Sequence, residues 1–359
     1  MSFPLIVSDK KSQENVGKQS AQECAPSILS DKKMWFDEAY DFENLPPFIV
    51  LCRKIGHYTR YSNLGDVQMP SWNSIFDSIQ PTNAIEEQKK NYFEKLQSLT
   101  GRNYVVYFSC WQQKPGINGQ FSIDDDDRNG FMNALYGLDK SKGLDLILHT
   151  PGGDLAATQS IVDYLYSFFT GDVRVIVPHT AMSAGTMMAC AAKEIVMGKH
   201  SNLGPIDPQI GGMPANEFVD LLKKAMSDLQ TGSNTQYWQL TLSKYPPTFF
   251  GMCNNAIEAS KKIVRHWLER SMLAEAAPGE IDRTVEYLSN YHFHLQHNTR
   301  LTIDDLRDNT ALKITNLEDD QLFQEYLLSL YHCYQIMAGM TNVSKLIENH
   351  NQIKFVKQH

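Results

Sequence analysis

The sequence predicts an α/β protein built on a parallel sheet, and two observations carry that prediction. Between residues 103 and 209, apolar β-branched runs of strand length alternate with longer helical stretches. Two of these runs end in glycine-bearing turns, Pro151-Gly152-Gly153 and Ser183-Ala184-Gly185, each followed by a helix. Such alternation implies parallel strands joined by right-handed crossovers, which puts both turns at the same edge of the sheet. In open α/β folds that edge is where ligands bind.

Taken in order, the core opens with an apolar and aromatic run at Asn103–Ser109. A loop holding Lys114, Pro115 and Gly116 follows, then four consecutive aspartates at 124–127 and a helix through Phe131, Leu135 and Leu138. Acidic residues there read better as caps for free helix N–H groups than as metal ligands. Strands are expected at 144–148 and Val173–Val177, with a helix over about 156–169 between them. A further helix of small apolar residues starts at Ser183, and another covers 214–229.

Upstream, residues 1–33 are polar and read as disordered or ordered by a partner, 34–55 carry aromatics broken by Pro46-Pro47, and 56–82 are loop-like. Asn83 caps a helix over 83–98 with Ile85, Tyr92, Phe93 and Leu96 on one face. Downstream, Ile257, Ile263, Trp267 and Met272 mark a long helix, and 318–349 read as one or two more. The chain therefore divides into an N-terminal extension (1–98), an α/β core (99–235) and a helical C-terminal region (236–359).

Composition narrows the function. Hydrophobic residues make up 42% of 359, enough for a sizeable core. A net charge of -8 leaves no basic stripe for phosphates and argues against nucleic acid. Six scattered cysteines read as reduced cytosolic thiols rather than zinc or redox motifs. No signal pattern opens the chain and no apolar run is long enough to span a membrane, so a cytoplasmic location is expected.

The chemistry this layout allows is acyl transfer. A serine at a helix start points its hydroxyl out of the sheet edge, beside N–H groups that have no intrahelical partner. The N–H of Ala184 is one such donor; Gly153, lacking a Cβ, brings a second one close. With Ser183 they form a nucleophile and an oxyanion hole.

Thr150-Pro151-Gly152-Gly153, with Ser183-Ala184-Gly185-Thr186 thirty residues past the second glycine, resembles the Clp protease/crotonase-type serine peptidases. Ser201-Asn202-Leu203-Gly204-Pro205-Ile206-Asp207-Pro208-Gln209 is most similar to the serine dehydrogenase proteinase family, relatives of signal peptide peptidase A. The likeness is strong over 104–209, faint over the next hundred residues and absent from the first 90 or so. It implies a Clp protease/crotonase-like sheet with helical N- and C-terminal extensions, a polypeptide substrate, no cofactor or metal, and a homo-oligomer.

The serine also needs a proton acceptor. Clp protease subunits place a histidine a strand and loop after the serine, but Gly204–Pro208 holds none. Lys224 resembles the base lysine of the Ser–Lys branch, and would have to be buried away from carboxylates to serve. The plainer reading, a solvated helix lysine, weighs about equally. Asp207 stands near the place of the missing histidine, either orienting a base or bonding loop amides. His149, in the Gly-Gly turn, is a candidate for touching substrate but not for the base. His179 either lines the site or simply packs there, and His297 precedes a helix start of the kind seen in the relatives; it ranks below Lys224. His200 reads as an exposed turn residue and Cys190 as packing. His292, His294 and His297, at period two or nearly so, do not specify a metal. A soluble serine peptidase is the leading reading; a non-catalytic scaffold that binds a partner in the same cleft is the alternative.

Overall fold

Seven strands form the central sheet, and the apolar runs take their place in it because both faces are covered. The computed structural model describes residues 71–78, 84–116 and 120–359, all within one compact unit, Phe48–His359. The segments read at 1–33, 34–55 and most of 56–82 lie outside the described residues. In chain order the helices and strands are α1 (Trp72–Ser78), α2 (Ala84–Thr100), β1 (Asn103–Ser109), α3 (Asp125–Ala134), β2 (Leu144–His149), α4 (Leu155–Phe169), β3 (Val173–Val177), β4 (Thr180–Ala181) and α5 (Ala184–Cys190). They continue with β5 (Glu194–Met197), β6 (Asn202–Leu203), β7 (Gln209–Ile210), β8 (Met213–Pro214), α6 (Ala215–Gln230), α7 (Thr235–Leu242), α8 (Phe249–Arg270) and α9 (Pro278–Ser289). The last are α10 (Tyr291–His294), α11 (Ile303–Asn309), β9 (Ile314–Asn316), α12 (Gln321–Met340), β10 (Val343–Asn349) and β11 (Lys354–Gln358).

The sheet runs β11-β10-β1-β2-β3-β5-β9. Neighbours from β1 to β9 are parallel, while β10 and β11 close one side antiparallel. The region expected to be helical from residue 236 thus supplies six helices, α7 to α12, and also three strands. The change at 340 has a local cause. Thr341 leaves the helical region at φ -129°, and Lys345 to Asn349 then pair with β1 along their length.

Alternate residues of β1 go to opposite cores. Val105 and Tyr107 pack with α3, α4, α5, α8 and α9, whereas Tyr104, Val106 and Phe108 pack with α1, α2 and α12. Burial on both faces explains why these strands read as continuous apolar runs rather than as alternation. Asp124 caps α3 as the acidic run predicts, accepting from Asp126 N–H, while Asp127 accepts from Asp124 N–H in a capping box.

At the edge where β1, β2 and β3 begin, the buried carboxylate of Asp145 accepts from Arg102 at 2.6 Å and from Arg174 at 2.6 Å. Arg102 continues to Asp172 at 3.1 Å. Asp145 and Arg174 are register partners on adjacent strands, so this cluster ties the entry ends of the parallel core together. Removing the carboxylate leaves the half-buried guanidinium of Arg174 without this counter-charge and Arg102 with Asp172 alone. Asp145→Ala is expected to lower unfolding stability by roughly 3 kcal/mol, read as a lower urea midpoint with an unchanged slope.

Candidate active site

The opposite edge carries the two glycine-bearing turns, and their geometry follows from how β2 and β3 end. Thr150 pairs with Ala181 beyond the last strand residues, with Met182 N–H donating to Thr150 O at 3.0 Å. Gly152 takes φ +98°, a left-handed conformation in which a side chain is strained. A Cβ on it would stand 2.8 Å from Ser183 Cβ and 3.1 Å from Ala184 N. The Gly-Gly turn therefore rests directly on the serine. Gly153 is held equally tightly on its other side, where a Cβ would meet Ile123 N at 2.2 Å.

Ser183 has φ +52° and ψ -117°, outside the regions open to an ordinary side chain, and immediately precedes α5. A non-glycine residue held this way costs on the order of 1–3 kcal/mol, and such strain clusters at working sites. The sharp strand-to-helix turn presents the hydroxyl at the sheet edge. Ser183 is half-buried, and its Oγ has no hydrogen-bond partner among the described residues. The same holds for the N–H groups of Gly153 and Ala184.

Asp207 and His297 meet although ninety residues separate them. His297 Nδ1 donates to Asp207 Oδ1 at 2.8 Å, and Gln209 Nε2 donates to Oδ2 at 2.9 Å. Asp207 is 1% exposed; His297 is 26% exposed, and its Nε2 has no partner among the described residues. Backbone pairing produces the meeting. Ala181 pairs in parallel with Leu203, and Leu203 pairs antiparallel with Leu301. Asp207 lies four residues past Leu203 and His297 four before Leu301, so both strands deliver them abreast. Gly204, packed under the Met182 side chain, donates to Thr186 Oγ1 at 2.9 Å and keeps this segment along the serine turn.

Lys224 makes no hydrogen bond or ion pair with this cluster. It stands on the exposed side of α6, and its ammonium has no partner among the described residues. The burial that a neutral lysine requires is absent, because Phe218 and Ala225 take the inward face of that helix. His200 is an exposed turn residue, as expected, with Nε2 against Pro178 O at 2.9 Å. His294 bonds Tyr287 O and His292 faces Asp220, so the three clustered histidines go three separate ways. Cys190 is fully buried, and burial pushes its thiol up to about 12.

His149 is the last residue of β2 and His179 lies two residues past β3; they face each other, ring centroids 5.7 Å apart. Phe108, Trp111 and Tyr331 surround His149, and neither of its ring nitrogens finds a hydrogen-bond partner among the described residues. Burial, with His179 next to it, holds His149 well below the ordinary imidazole range. Burial, together with the charges of Arg300 and His200, brings His179 down to about 4. Both are neutral packing groups under the turns at neutral pH.

Residues 116–238 match the model of the ClpP-like SDH-type serine proteinase family, and this stretch contains both turns, Ser183 and Asp207. The fold is accordingly of the ClpP-like kind, a mostly parallel sheet with helices on both faces. The match supports the family that the motifs suggest, and the family's description suggests a serine peptidase. Two curated relatives come from Methanocaldococcus jannaschii. Uncharacterized protein MJ0137 is 41% identical over 103 residues, 29% of this chain and 36% of that protein. Uncharacterized protein MJ1495 is 39% identical over 95 residues, 26% of this chain and 32% of that protein. The chain thus spans about a third of the length of each. No helix among the described residues is long and apolar enough to cross a membrane.

The pairing of Asp207 with His297 is what sequence reasoning did not find. Each residue stood out alone, but the equal spacing from Leu203 and Leu301 carries no signal until those two residues are known to pair.

The neutral histidine pair sets an acid limit. Below the ordinary value of 6.5 the unfolded chain takes up protons that folded His179 refuses until about pH 4. Stability therefore falls as pH drops through that window, by roughly 2–3 kcal/mol from His179 alone. His149→Phe, which keeps the aromatic packing, is expected to flatten the fall of the urea midpoint between about pH 6.5 and pH 4.

Proposed function

We propose that this protein is a serine peptidase that hydrolyses polypeptide through an acyl-enzyme on Ser183. The single observation that carries the reading is the strained Ser183 turn, seated against Gly152 with its hydroxyl and two neighbouring amides unpartnered among the described residues. A backbone distortion of this size at a residue with no structural bond to make is accounted for by catalysis.

In this reading the His297–Asp207 pair takes the proton. Asp207, held by Gln209, fixes the tautomer with hydrogen on Nδ1 and leaves Nε2 as the acceptor. Ser183 Oγ attacks the peptide carbonyl as its proton passes to Nε2. The oxygen that gains charge is met by the N–H groups of Gly153 and Ala184. His297 then returns the proton to the departing amine, and water, activated by the same imidazole, releases the acyl group. Exposure of Lys224 speaks against the lysine as base. The substrate is an extended segment of polypeptide, and self-association remains part of the proposal.

The test is covalent labelling by a fluorophosphonate probe. Wild type should label at Ser183, and Ser183→Ala should not. His297→Ala is expected to slow labelling by 100-fold or more, on the scale of general-base catalysis of about 10²–10⁴. Lys224→Ala should label at the wild-type rate; a comparable loss there, with His297→Ala unaffected, would exchange the two roles. Absence of labelling in folded wild type returns the cleft to a partner-binding scaffold.

A further inference from the structure

Lys345 is a buried lysine for which the proposed chemistry has no use. It lies on β10 with its side chain fully enclosed. Its ammonium donates to Ser122 O at 2.7 Å, to Asp124 Oδ2 at 3.0 Å and to the Asp127 carboxylate at 2.8 Å. Asp127 also accepts from Tyr107 Oη at 2.8 Å and from Asp124 N–H at 3.0 Å. Lys357 reaches Asp124 at 2.8 Å from β11. Ser109, the register partner of Lys345 on β1, donates to Phe121 O at 2.7 Å. Two successive carbonyls, of Phe121 and Ser122, are thus held by side chains from adjacent strands.

The segment held this way is the one that grips the Gly-Gly turn. Ile123 N–H donates to Gly152 O at 2.8 Å, and Asp154 N–H donates to Ile123 O at 2.9 Å. These two bonds flank Gly153 in a parallel bridge. Backbone groups of successive extended residues point to opposite sides, so the bridge turns the N–H of Gly153 away from Ile123. The clearance is small enough that no side chain fits at Gly153. The direction of that amide is therefore set by where Ile123 sits, and Ile123 sits where Lys345 and Ser109 anchor its neighbours.

A buried ion cluster is costly to form, and apolar residues of similar volume often stabilise a fold as well. What an apolar side chain could not do is hold the carbonyl of Ser122. We propose that Lys345 is a positioning residue: through Ser122, Asp124 and Asp127 it holds the 121–124 segment, which aims the Gly153 amide at the oxyanion. This assignment rests on the serine peptidase reading for its catalytic consequence, though the tether itself is independent of it.

The test uses the full chain carrying Lys345→Met together with Asp127→Asn. The double change removes the ammonium without leaving a buried carboxylate unpaired, and the amide keeps the size of the side chain it replaces. Asp145→Ala, at the far edge of the sheet, serves as a destabilised control with the turn intact. Fluorophosphonate labelling is resolved into maximal rate and half-saturating concentration. The double variant should lose about 10-fold or more in maximal rate, as expected for a displaced oxyanion donor, with half-saturation unchanged. Asp145→Ala should keep both. Hydrogen exchange of peptides covering 121–124 and 150–155, measured by mass spectrometry, should be faster in the double variant than in wild type or the control. Unchanged exchange there overturns the assignment, as does a wild-type maximal rate. If wild type itself does not label, the peptidase reading fails alone, and the exchange comparison still decides whether Lys345 holds the turn.

Discussion

The contact between the Gly152 turn and Ser183 is the constraint on which the rest of this structure depends. Two parallel strands end side by side, and the backbones that leave them come closer than a methyl group allows. Glycine at 152 permits the approach, and a left-handed serine at 183 completes it. The serine's conformation is unfavourable alone. It persists because the sheet beneath is anchored on both faces and cannot spread to relieve the strain.

That anchoring is distributed unevenly. At the entry edge of the sheet, charged groups join the strands through Asp145, Arg102 and Arg174. At the exit edge the neighbours of the turns are apolar or neutral, with His149 and His179 packed among aromatic rings. A dry wall beside the turns raises the strength of any dipole aimed into the cleft. Charged side chains stand around this apolar patch, and Asp154 follows Gly153 directly and caps α4. The Lys345 cluster grips the 121–124 segment from behind, and the Asp207–His297 pair approaches along the strand after β6.

Much of the core was legible from sequence. The strands at Asn103–Ser109 and Val173–Val177, the helix starting at Ser183 and the capping role of the aspartates are all local, set by apolar runs and by side chains that bond their own backbone. The strands after α12 were less so: Lys345 and Glu348 interrupt an apolar run with charges, which reads as an exposed helix face. They are buried because Asp127 and Lys89 wait opposite them. A partner more than two hundred residues away cannot be inferred from spacing. Lys224 shows the reverse case. Its helical periodicity placed it at the border of the apolar face, and only packing against α8 decided that it points to solvent.

Sequence alone determined the alternation of strand and helix, the edge at which the two glycine-bearing turns emerge, and the serine that opens a helix there. These follow from short-range patterns, because hydrophobic period and turn chemistry act within a few residues. The tertiary structure alone decided the backbone strain at Ser183, the meeting of His297 with Asp207, and the burial of Lys345 behind the Gly153 turn. Each of those depends on which strand lies beside which, and strand pairing is a long-range outcome of burying both faces of one sheet.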